Sequence, residues 1–396
     1  MGGRGVELLL VTANVGSVCD KPEELQENWL QELYKAVRRY RPLFLALHWQ
    51  EVGGKDYQQN MKRVDDFVRT MMQSGDMSEY DRTRVYIDSD FTETGSFTAL
   101  GNLYFVHRSL DNVWEFDFRE KKFLAVRDTQ VCLGSLEEAS TLEKERFAPD
   151  FWLDFKWTRK GYMRTRWKIQ NRAFDLLNVH LFHDASNLIA CDSSPSVYAG
   201  NRKKALHYVL ERLNDHRFPL LPFFLFGDFN FRLDARNLIQ SLCSGGTLQT
   251  VRRDSDGRVK KIICKERNSH KVLLLIEMGL FECLNQATFR EDYAEGLLPY
   301  DKEPLPFLDV LSEQPIVFPP SYPYSEDCRN PTKYEHTRCP AWCDRVLMSH
   351  SAKCCFQEEK KNESSPPAIV YGTLGDNVCM GDHKPVFLFF RMKSLD

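Results

Sequence analysis

An α/β fold in a single large domain is what this sequence predicts, and three observations carry that prediction. Short, wholly apolar runs recur along the chain: Val6 to Val11, Leu43 to Leu47 and Phe223 to Phe226. Runs of this length read as strands buried on both faces. Between them lie stretches with apolar residues at helical spacing, the first being Leu25, Trp29, Leu33, Val37 and Tyr40. The third observation is continuity: no compositional break and no internal repeat divides the 396 residues. A chain of this length could make two or three average domains, yet it also has ample material for one core. Residues 1–396 are therefore expected to form one domain.

Each element follows from a local signal. The strand from Val6 ends on Thr12-Ala13-Asn14, and a helix over 23–40 is stopped by Pro42. The second strand ends on His48-Trp49-Gln50-Glu51, and Gly53-Gly54 turns the chain into a polar helix over 56–73. Residues 80–130 read as antiparallel strands, and 133–150, charged and turn-prone, as an exposed loop. Strands resume at Tyr162 to Ile169 and Phe174 to Val179, the latter running into His180-Leu181-Phe182-His183. A helix is expected from about Asn201 to Leu213, before the strand at Phe223. Residues 234–284 read as helical, broken by a basic, glycine-containing stretch at 252–261. Residues 300–335 are proline-rich and irregular, a long loop of the functional kind. Val346 to Met348 and Val386 to Phe390 are late strands.

Composition excludes several classes. A net charge of −3 gives no general nucleic-acid-binding face. Met1 to Glu7 has no apolar h-region, and no window approaches the length of a membrane span. Gly2 is followed by Val6 where a myristoylation signal wants Ser or Thr. The twelve cysteines form no Cys-x-x-Cys pairs for zinc, and they read as reduced thiols of a cytoplasmic protein.

Chemistry gathers at strand ends. After Phe226-Gly227 come Asp228, Asn230 and Arg232, which in an extended segment point the same way. A carboxylate, an amide and a fixed cation together suit a phosphate and a water attacking it. A strand end closed by a turn, with Arg232 paired to Asp228, would use the same residues. Asn14, Glu51 and His180 also terminate apolar strands. Trp342-Cys343-Asp344-Arg345 and Gly381-Asp382-His383-Lys384 sit just before late strands. Six segments each delivering a reactive side chain at a strand edge imply an active site at one rim of a sheet sandwich.

Phe226-Gly227-Asp228-Phe229-Asn230-Phe231-Arg232 and Pro340-Ala341-Trp342-Cys343-Asp344-Arg345-Val346-Leu347 resemble the two signature motifs of inositol polyphosphate 5-phosphatases. Asn14, Gln50-Glu51, Asn178 to Leu181 and Asp382 to Val386 match further motifs of the wider magnesium-dependent endonuclease/exonuclease/phosphatase superfamily, in the right order. The resemblance spans almost the whole chain and implies a DNase I-like, four-layer α-β-β-α sandwich of two mixed sheets. Within the family the chain looks most like the type I branch, from Ser321-Tyr322-Pro323-Tyr324-Ser325-Glu326-Asp327 and Arg338-Cys339-Pro340. The implied reaction is Mg²⁺-dependent hydrolysis of the 5-phosphate of inositol 1,4,5-trisphosphate and of inositol 1,3,4,5-tetrakisphosphate, which ends Ca²⁺ mobilisation.

The site residues follow. Glu51 is the best hard-oxygen ligand for Mg²⁺, with Asn14 and Asp382 beside it. Asp228 is expected to orient and deprotonate the attacking water, a role the resemblance also implies, and Asn230 would hold the developing oxyanion. The resemblance implies that His383 contacts the scissile phosphate, and Asp344 would orient and charge it. His180 is a second phosphate contact, although a lone histidine at a strand end is more often structural; His183 reads as structural. A substrate with several phosphates needs further cations. Lys160, in Arg159-Lys160-Gly161 where the family has Asn-Lys-Gly, is one candidate. Arg202 near a helix N-terminus, Arg338, Arg345 and Lys384 are others.

The departures bear on substrate. Lipid-cleaving members carry a lysine two residues before the arginine matched by Arg338, where this chain has His336. They carry another between two tyrosines, where this chain has Pro323. Both losses favour soluble inositol phosphates; the alternative is a phosphoinositide lipid 5-phosphatase acting on phosphatidylinositol 4,5-bisphosphate. Type I enzymes end in a prenylated Cys-a-a-X box, which Arg391 to Asp396 does not provide, so peripheral membrane contact is left open. A monomer is expected. Two rivals fare worse. Cys339 and Arg345 satisfy a Cys-x₅-Arg spacing, but Pro340 lacks a needed N–H and Asp344 would repel phosphate. A nuclease of the same superfamily is opposed by the negative charge and the Trp342 to Arg345 signature.

Overall fold

The chain is described by a computed structural model that covers residues 5–20, 22–148, 159–253, 255–357 and 367–393. The expectations for residues 1–4, for the end of the 133–150 loop and for Ser394 to Asp396 lie outside the described residues. In chain order the first half runs β1 (Val6–Asn14), α1 (Pro22–Tyr40), β2 (Phe44–Gln50), α2 (Tyr57–Gln73), β3 (Tyr80–Asp88), β4 (Gly101–His107), β5 (Val113–Asp117), β6 (Lys122–Ala125), β7 (Gln130–Gly134), β8 (Glu143–Arg146), β9 (Gly161–Ile169) and β10 (Arg172–His180). The second half has α3 (Asn187–Ala190), α4 (Val197–Leu213), β11 (Phe223–Asp228), α5 (Ala235–Leu242), β12 (Gly246–Arg252), β13 (Val259–Glu266), β14 (Val272–Glu277), β15 (Leu280–Cys283), β16 (Leu311–Glu313), β17 (Asp344–Ser349), β18 (Ile369–Thr373) and β19 (Val386–Met392).

Two large mixed sheets lie face to face. One has the order β18-β19-β1-β2-β4-β3-β7; the other is β16-β17-β11-β10-β9-β5-β6, with β8 on β9. Leu8, Leu10, Phe44 and Ala46 of the first sheet share a core with Trp167, Leu176, Phe224 and Phe226 of the second. The other face of the first sheet is covered by α1 and α2 through Trp29, Leu33, Phe67 and Met71. The outer face of the second is covered by α4 through Ala205, Leu206 and Val209. The layers are therefore helix, sheet, sheet, helix, as expected. Apolar runs without alternation are explained by this: β2 and β11 are buried at every position.

Register brings the strand ends to one rim. The parallel pair β1–β2 sets Asn14 opposite Gln50, and the parallel pair β10–β11 sets His180 opposite Asp228. The antiparallel pair β11–β17 sets Asp228 opposite Asp344. Gly227 allows β11 to close on β10, since a Cβ there would sit 2.0 Å from the Val179 carbonyl oxygen. Behind the rim, amides tie the sheets together. Gln50 Nε2 donates to Asn178 Oδ1 (2.8 Å), and Asn178 Nδ2 donates to Asn102 Oδ1 (2.8 Å). The Gln50 and Asn178 positions of the sequence motifs are thus inter-sheet braces.

Two expectations fail. Residues 234–284 are not mainly helical: after α5 the chain forms a third, four-stranded antiparallel sheet, β12-β13-β14-β15. Cys264, Leu274, Ile276, Phe281 and Cys283 bury one of its faces. The β-branched residues Val251, Val259, Ile262, Ile263, Val272 and Ile276 supply the strand signal, and the glycine-containing stretch is a hairpin turn with Gly257 at φ 67°. Nor is 133–150 simply an exposed loop, because it contains β8 and buries Leu136, Leu142 and Phe147.

Candidate active site

A cavity of about 220 Å³ opens at the rim, lined by Asn14, Glu51, Lys160, Asp228, Asn230, Asp382 and His383 among others. Its centre is Asp228, 1% exposed at the end of β11. Asp228 Oδ2 accepts from Asn14 Nδ2 at 3.1 Å and lies 3.2 Å from His180 Nε2. Asp228 Oδ1 accepts from the Asn230 backbone N–H at 2.9 Å. Burial alone would raise this carboxyl. His383, His180 and Lys160 outweigh it and hold Asp228 ionised, far below the usual carboxylate range.

His383 faces Asp228 from the loop before β19, with Nε2 3.8 Å from Asp228 Oδ2. Its Nδ1 donates to Asp344 Oδ2 at 2.7 Å. Ser321 Oγ donates to the same oxygen at 2.7 Å and accepts from the Asp344 N–H at 3.1 Å, which fixes the carboxylate. Burial would lower His383; Asp344 and Asp228 overcome it and raise it well above an ordinary histidine. Burial pushes Asp344 up, against the pull of His383. The pair stands as an imidazolium on a carboxylate, with Nε2–H pointed into the cavity side of the ring.

Glu51 follows β2 at φ 56°, a conformation that a bulky residue adopts under strain. Burial would raise its carboxyl, but Lys160, His180 and Arg159 hold it well below its ordinary value. Lys160 Nζ and His180 Nε2 each lie 3.8 Å from Glu51 Oε1, and they bond each other. Burial lowers Lys160 to about 8. It also lowers His180, which sits beside that cation and is neutral.

The donors present fit a hard divalent cation. A Cβ built on Gly16 would lie 3.0 Å from Glu51 Oε2 and 3.2 Å from Asn14 Oδ1, so two oxygen donors converge where only a glycine leaves room. Asp382 borders the same cavity and is raised by burial first, then by the negative charge of Glu51 and Glu326. A cation among these oxygens would relieve that repulsion. Asp228, Asp344 and His383 also place ligand atoms within 4.8 Å of one another. A histidine already protonated against Asp344 is a donor there, however, and not a ligand.

Of the cations expected to grip substrate, Lys160 and Arg338 line the cavity. Three others do not. Arg202 is fully buried in α4, which begins at Val197, four residues before the expected start. It bonds Asp184 Oδ1 at 2.6 Å and Glu303 Oε2 at 2.7 Å, and so braces the loops beneath the cavity. Arg345 bonds Asp301 Oδ2 at 2.8 Å and Glu313 Oε2 at 2.7 Å. Lys384 Nζ donates to the Asp376 carbonyl at 3.0 Å and to that of Val378. In each case burial of a charge required nearby acceptors, and these took the place of substrate. Replacing Arg345 with Met would strand two acidic groups, and a loss of about 3–5 kcal/mol is expected in urea unfolding. Turnover per folded molecule should change little.

The reverse also occurs. His183, expected to be structural, lines the cavity and is exposed. Arg232, Lys55 and Tyr322 line it too. Arg232 does not pair with Asp228. Its Nη2 bonds Asn230 Oδ1, and its guanidinium stacks 4.2 Å over the Tyr322 ring. Asn230 sits at φ 52°, so Asp228, Asn230 and Arg232 converge through a left-handed turn and not through strand alternation. The Gly53-Gly54 turn after Glu51 was the available signal for Lys55.

Comparison with known proteins follows the same line. Residues 282–389 match the family model Endonuclease/Exonuclease/phosphatase family 2. The chain is 51% identical over 389 residues to inositol polyphosphate-5-phosphatase A of Homo sapiens, covering 98% of this chain and 94% of the relative. It is 35% identical over 421 residues to the probable type I inositol 1,4,5-trisphosphate 5-phosphatase of Caenorhabditis elegans, covering 98% and 100%. Among solved structures it is similar to the inositol polyphosphate 5-phosphatase domain of SPsynaptojanin in complex with inositol (1,4)-bisphosphate and calcium ion. The TM-score is 0.52 and the identity 14%, over 98% of this chain and 84% of that one. At that identity the likeness shows the fold.

Proposed function

Because this chain belongs to the inositol polyphosphate 5-phosphatase family, we propose that it hydrolyses the 5-phosphate of inositol 1,4,5-trisphosphate, and of inositol 1,3,4,5-tetrakisphosphate, with Mg²⁺, ending Ca²⁺-mobilising signals in the cytoplasm. The single observation that carries the catalytic reading is the meeting of ionised Asp228 and cationic His383 across 3.8 Å at one cavity wall. An acceptor and a donor of protons held in opposite states at that separation can serve the two ends of one phosphoryl transfer.

In this reading Asp228 orients a water and takes its proton as the water attacks phosphorus directly, without a phosphoenzyme. Asn14 Nδ2 and the Asn230 N–H hold the Asp228 carboxylate in place through its two oxygens. His383 Nε2–H donates to a phosphoryl oxygen, and Asp344 keeps it charged and aimed. Glu51, Asn14 and Asp382 would hold Mg²⁺, which supplies Lewis-acid stabilisation of charge on the phosphoryl oxygens when bound. Lys160, Arg338 and Arg232 meet the remaining phosphates.

Arg232 earns its place by contrast. Arg84, Arg164, Arg166, Arg202 and Arg345 are buried against carboxylates. Arg232 is 9% exposed, its side chain bonds an amide, and its Nε and Nη1 have no partner among the described residues. A buried cation with open donors on a cavity wall is suited to an anionic substrate. Arg232→Lys should raise KM for the trisphosphate by on the order of tenfold with kcat less affected, since a point charge cannot reproduce the planar fork. Unchanged KM would remove Arg232 from the substrate site.

The experiment that tests the function is phosphate release from soluble inositol 1,4,5-trisphosphate and from vesicle-borne phosphatidylinositol 4,5-bisphosphate, with Mg²⁺ and with EDTA. Release from the soluble substrate alone, abolished by EDTA, is expected. Comparable release from the lipid would overturn the substrate reading, and activity in EDTA would overturn the metal reading.

A further inference from the structure

A basic hairpin stands beside the site, and the reaction does not use it. Between residues 251 and 271 the sequence holds eight Lys or Arg against three Asp or Glu, in a chain of net charge −3. The turn joining β12 to β13 is built from this segment, and Arg252, Arg253, Arg258 and Lys260 are exposed there. Asp256 lies 3.9 Å from Arg258, with both side chains open to water, a pairing that neutralises little. Apolar side chains are exposed on the same sheet: Leu248 at 46%, Val272 at 43% and Met278 at 61%.

Register says which way the hairpin points. Ile262 pairs with Ile276, and Glu277 with Leu280. Continuing that antiparallel register sets Lys260 level with Met278 and Val259 level with Gly279, so Arg252, Arg253 and Arg258 of the hairpin stand at or just past the Met278-Gly279 turn. That turn is where the sheet meets the active site. The Asn187 N–H donates to the Met278 carbonyl at 3.0 Å, and the Phe281 N–H donates to the His336 carbonyl at 2.7 Å. A Cβ on Gly279 would lie 4.0 Å from Arg338 Nη1. The basic turn and the cavity wall formed by Arg338 thus share one end of the sheet.

We propose that this hairpin docks the protein on an anionic lipid bilayer, its cations facing the charged headgroups and Met278 entering the interfacial layer beside them. Charge complementarity selects the occupant. The cations are spread along a projecting turn and do not converge on one point, which suits the smeared negative potential of a membrane surface. The rest of the chain is net negative and is repelled by the same surface, so the hairpin end faces it. A soluble substrate would then be met close to the membrane. The inference rests on charge and shape and is independent of which inositol phosphate is cleaved.

The test uses the full chain and sedimentation with phosphatidylcholine vesicles, with and without about 30 mol% phosphatidylserine, at about 0.1 M and about 0.5 M salt. Binding to the anionic vesicles is expected to be at least about tenfold tighter than to the neutral ones and to be lost at high salt, each cation contributing roughly fivefold. The triple variant Arg252→Glu, Arg253→Glu, Lys260→Glu should lose at least about tenfold, with kcat and KM on soluble substrate unchanged. Equal binding to both vesicle types would overturn the proposal. So would salt-insensitive binding of the unaltered chain, a reading that does not depend on the variant folding. Capture by soluble polyglutamate as tight as by the anionic vesicles would overturn it in favour of an acidic protein partner.

Discussion

Replacing Asp228 with Asn is expected to lower kcat by about a hundredfold to ten-thousandfold while leaving KM nearly unchanged. The substitution keeps the shape of a side chain that is 1% exposed and keeps an oxygen to accept the Asn230 N–H. What it removes is the negative charge held between His180, Asn14 and His383. In the proposed reaction that charge takes the water's proton, an event of the transition state, so the loss belongs in kcat. Single-turnover phosphate release from inositol 1,4,5-trisphosphate is the measurement, with unfolding by urea as the control for the fold. A kcat within tenfold of the original would show that another group takes the proton, and neutral His180, 3.2 Å away, would be the first to examine.

Asp344→Asn should show a second large effect, and its signature is a change in pH dependence. Asp344 does not line the cavity, and its side chain bonds His383 and Ser321. In the proposed reaction it is a positioning residue that holds the imidazolium charged. The sign follows directly. A histidine whose charged form is stabilised stays active up to its raised pKa and loses activity as pH climbs through it. Removing the Asp344 charge lowers that pKa, so the alkaline limb of kcat should move to lower pH. At mildly alkaline pH a loss on the order of a hundredfold is expected, with partial recovery on acidification. A uniform loss at every pH would mean that Asp344 matters only for packing.

Much of this site was legible in the sequence because its residues end strands. Asn14, Glu51, His180, Asp228, Asp344 and His383 each sit at the boundary of an apolar run, and a strand boundary has one place to go, the rim of the sheet. The cations were harder. Arg202, Arg345 and Lys384 lie as near to the motifs as Lys160 and Arg338 do, yet they are engaged with Asp184, Asp301 and the Val378 carbonyl. A charge near a motif in sequence has no stated partner until the fold supplies one.

The same division runs through the fold. The two-sheet sandwich was implied by the motif resemblance, while strand length, apolar content and helical spacing determined buried strands and covering helices, since burial on both faces demands unbroken apolar runs and covering helices demand one apolar stripe. Those are properties of contiguous residues. The sheet β12 to β15 was read as helix because its half-exposed strands mix apolar and charged residues, with β13 burying only Cys264 completely. Pairing between distant strands, and not local preference, decided it. Pairing likewise decided which charged groups face one another. The 3.8 Å approach of Asp228 and His383 joins residues far apart in the chain, and it exists because the sheet that carries β19 faces the sheet that carries β11. Local chemistry and the motif resemblance named the candidate groups; long-range packing set their distances, their burial and therefore their protonation.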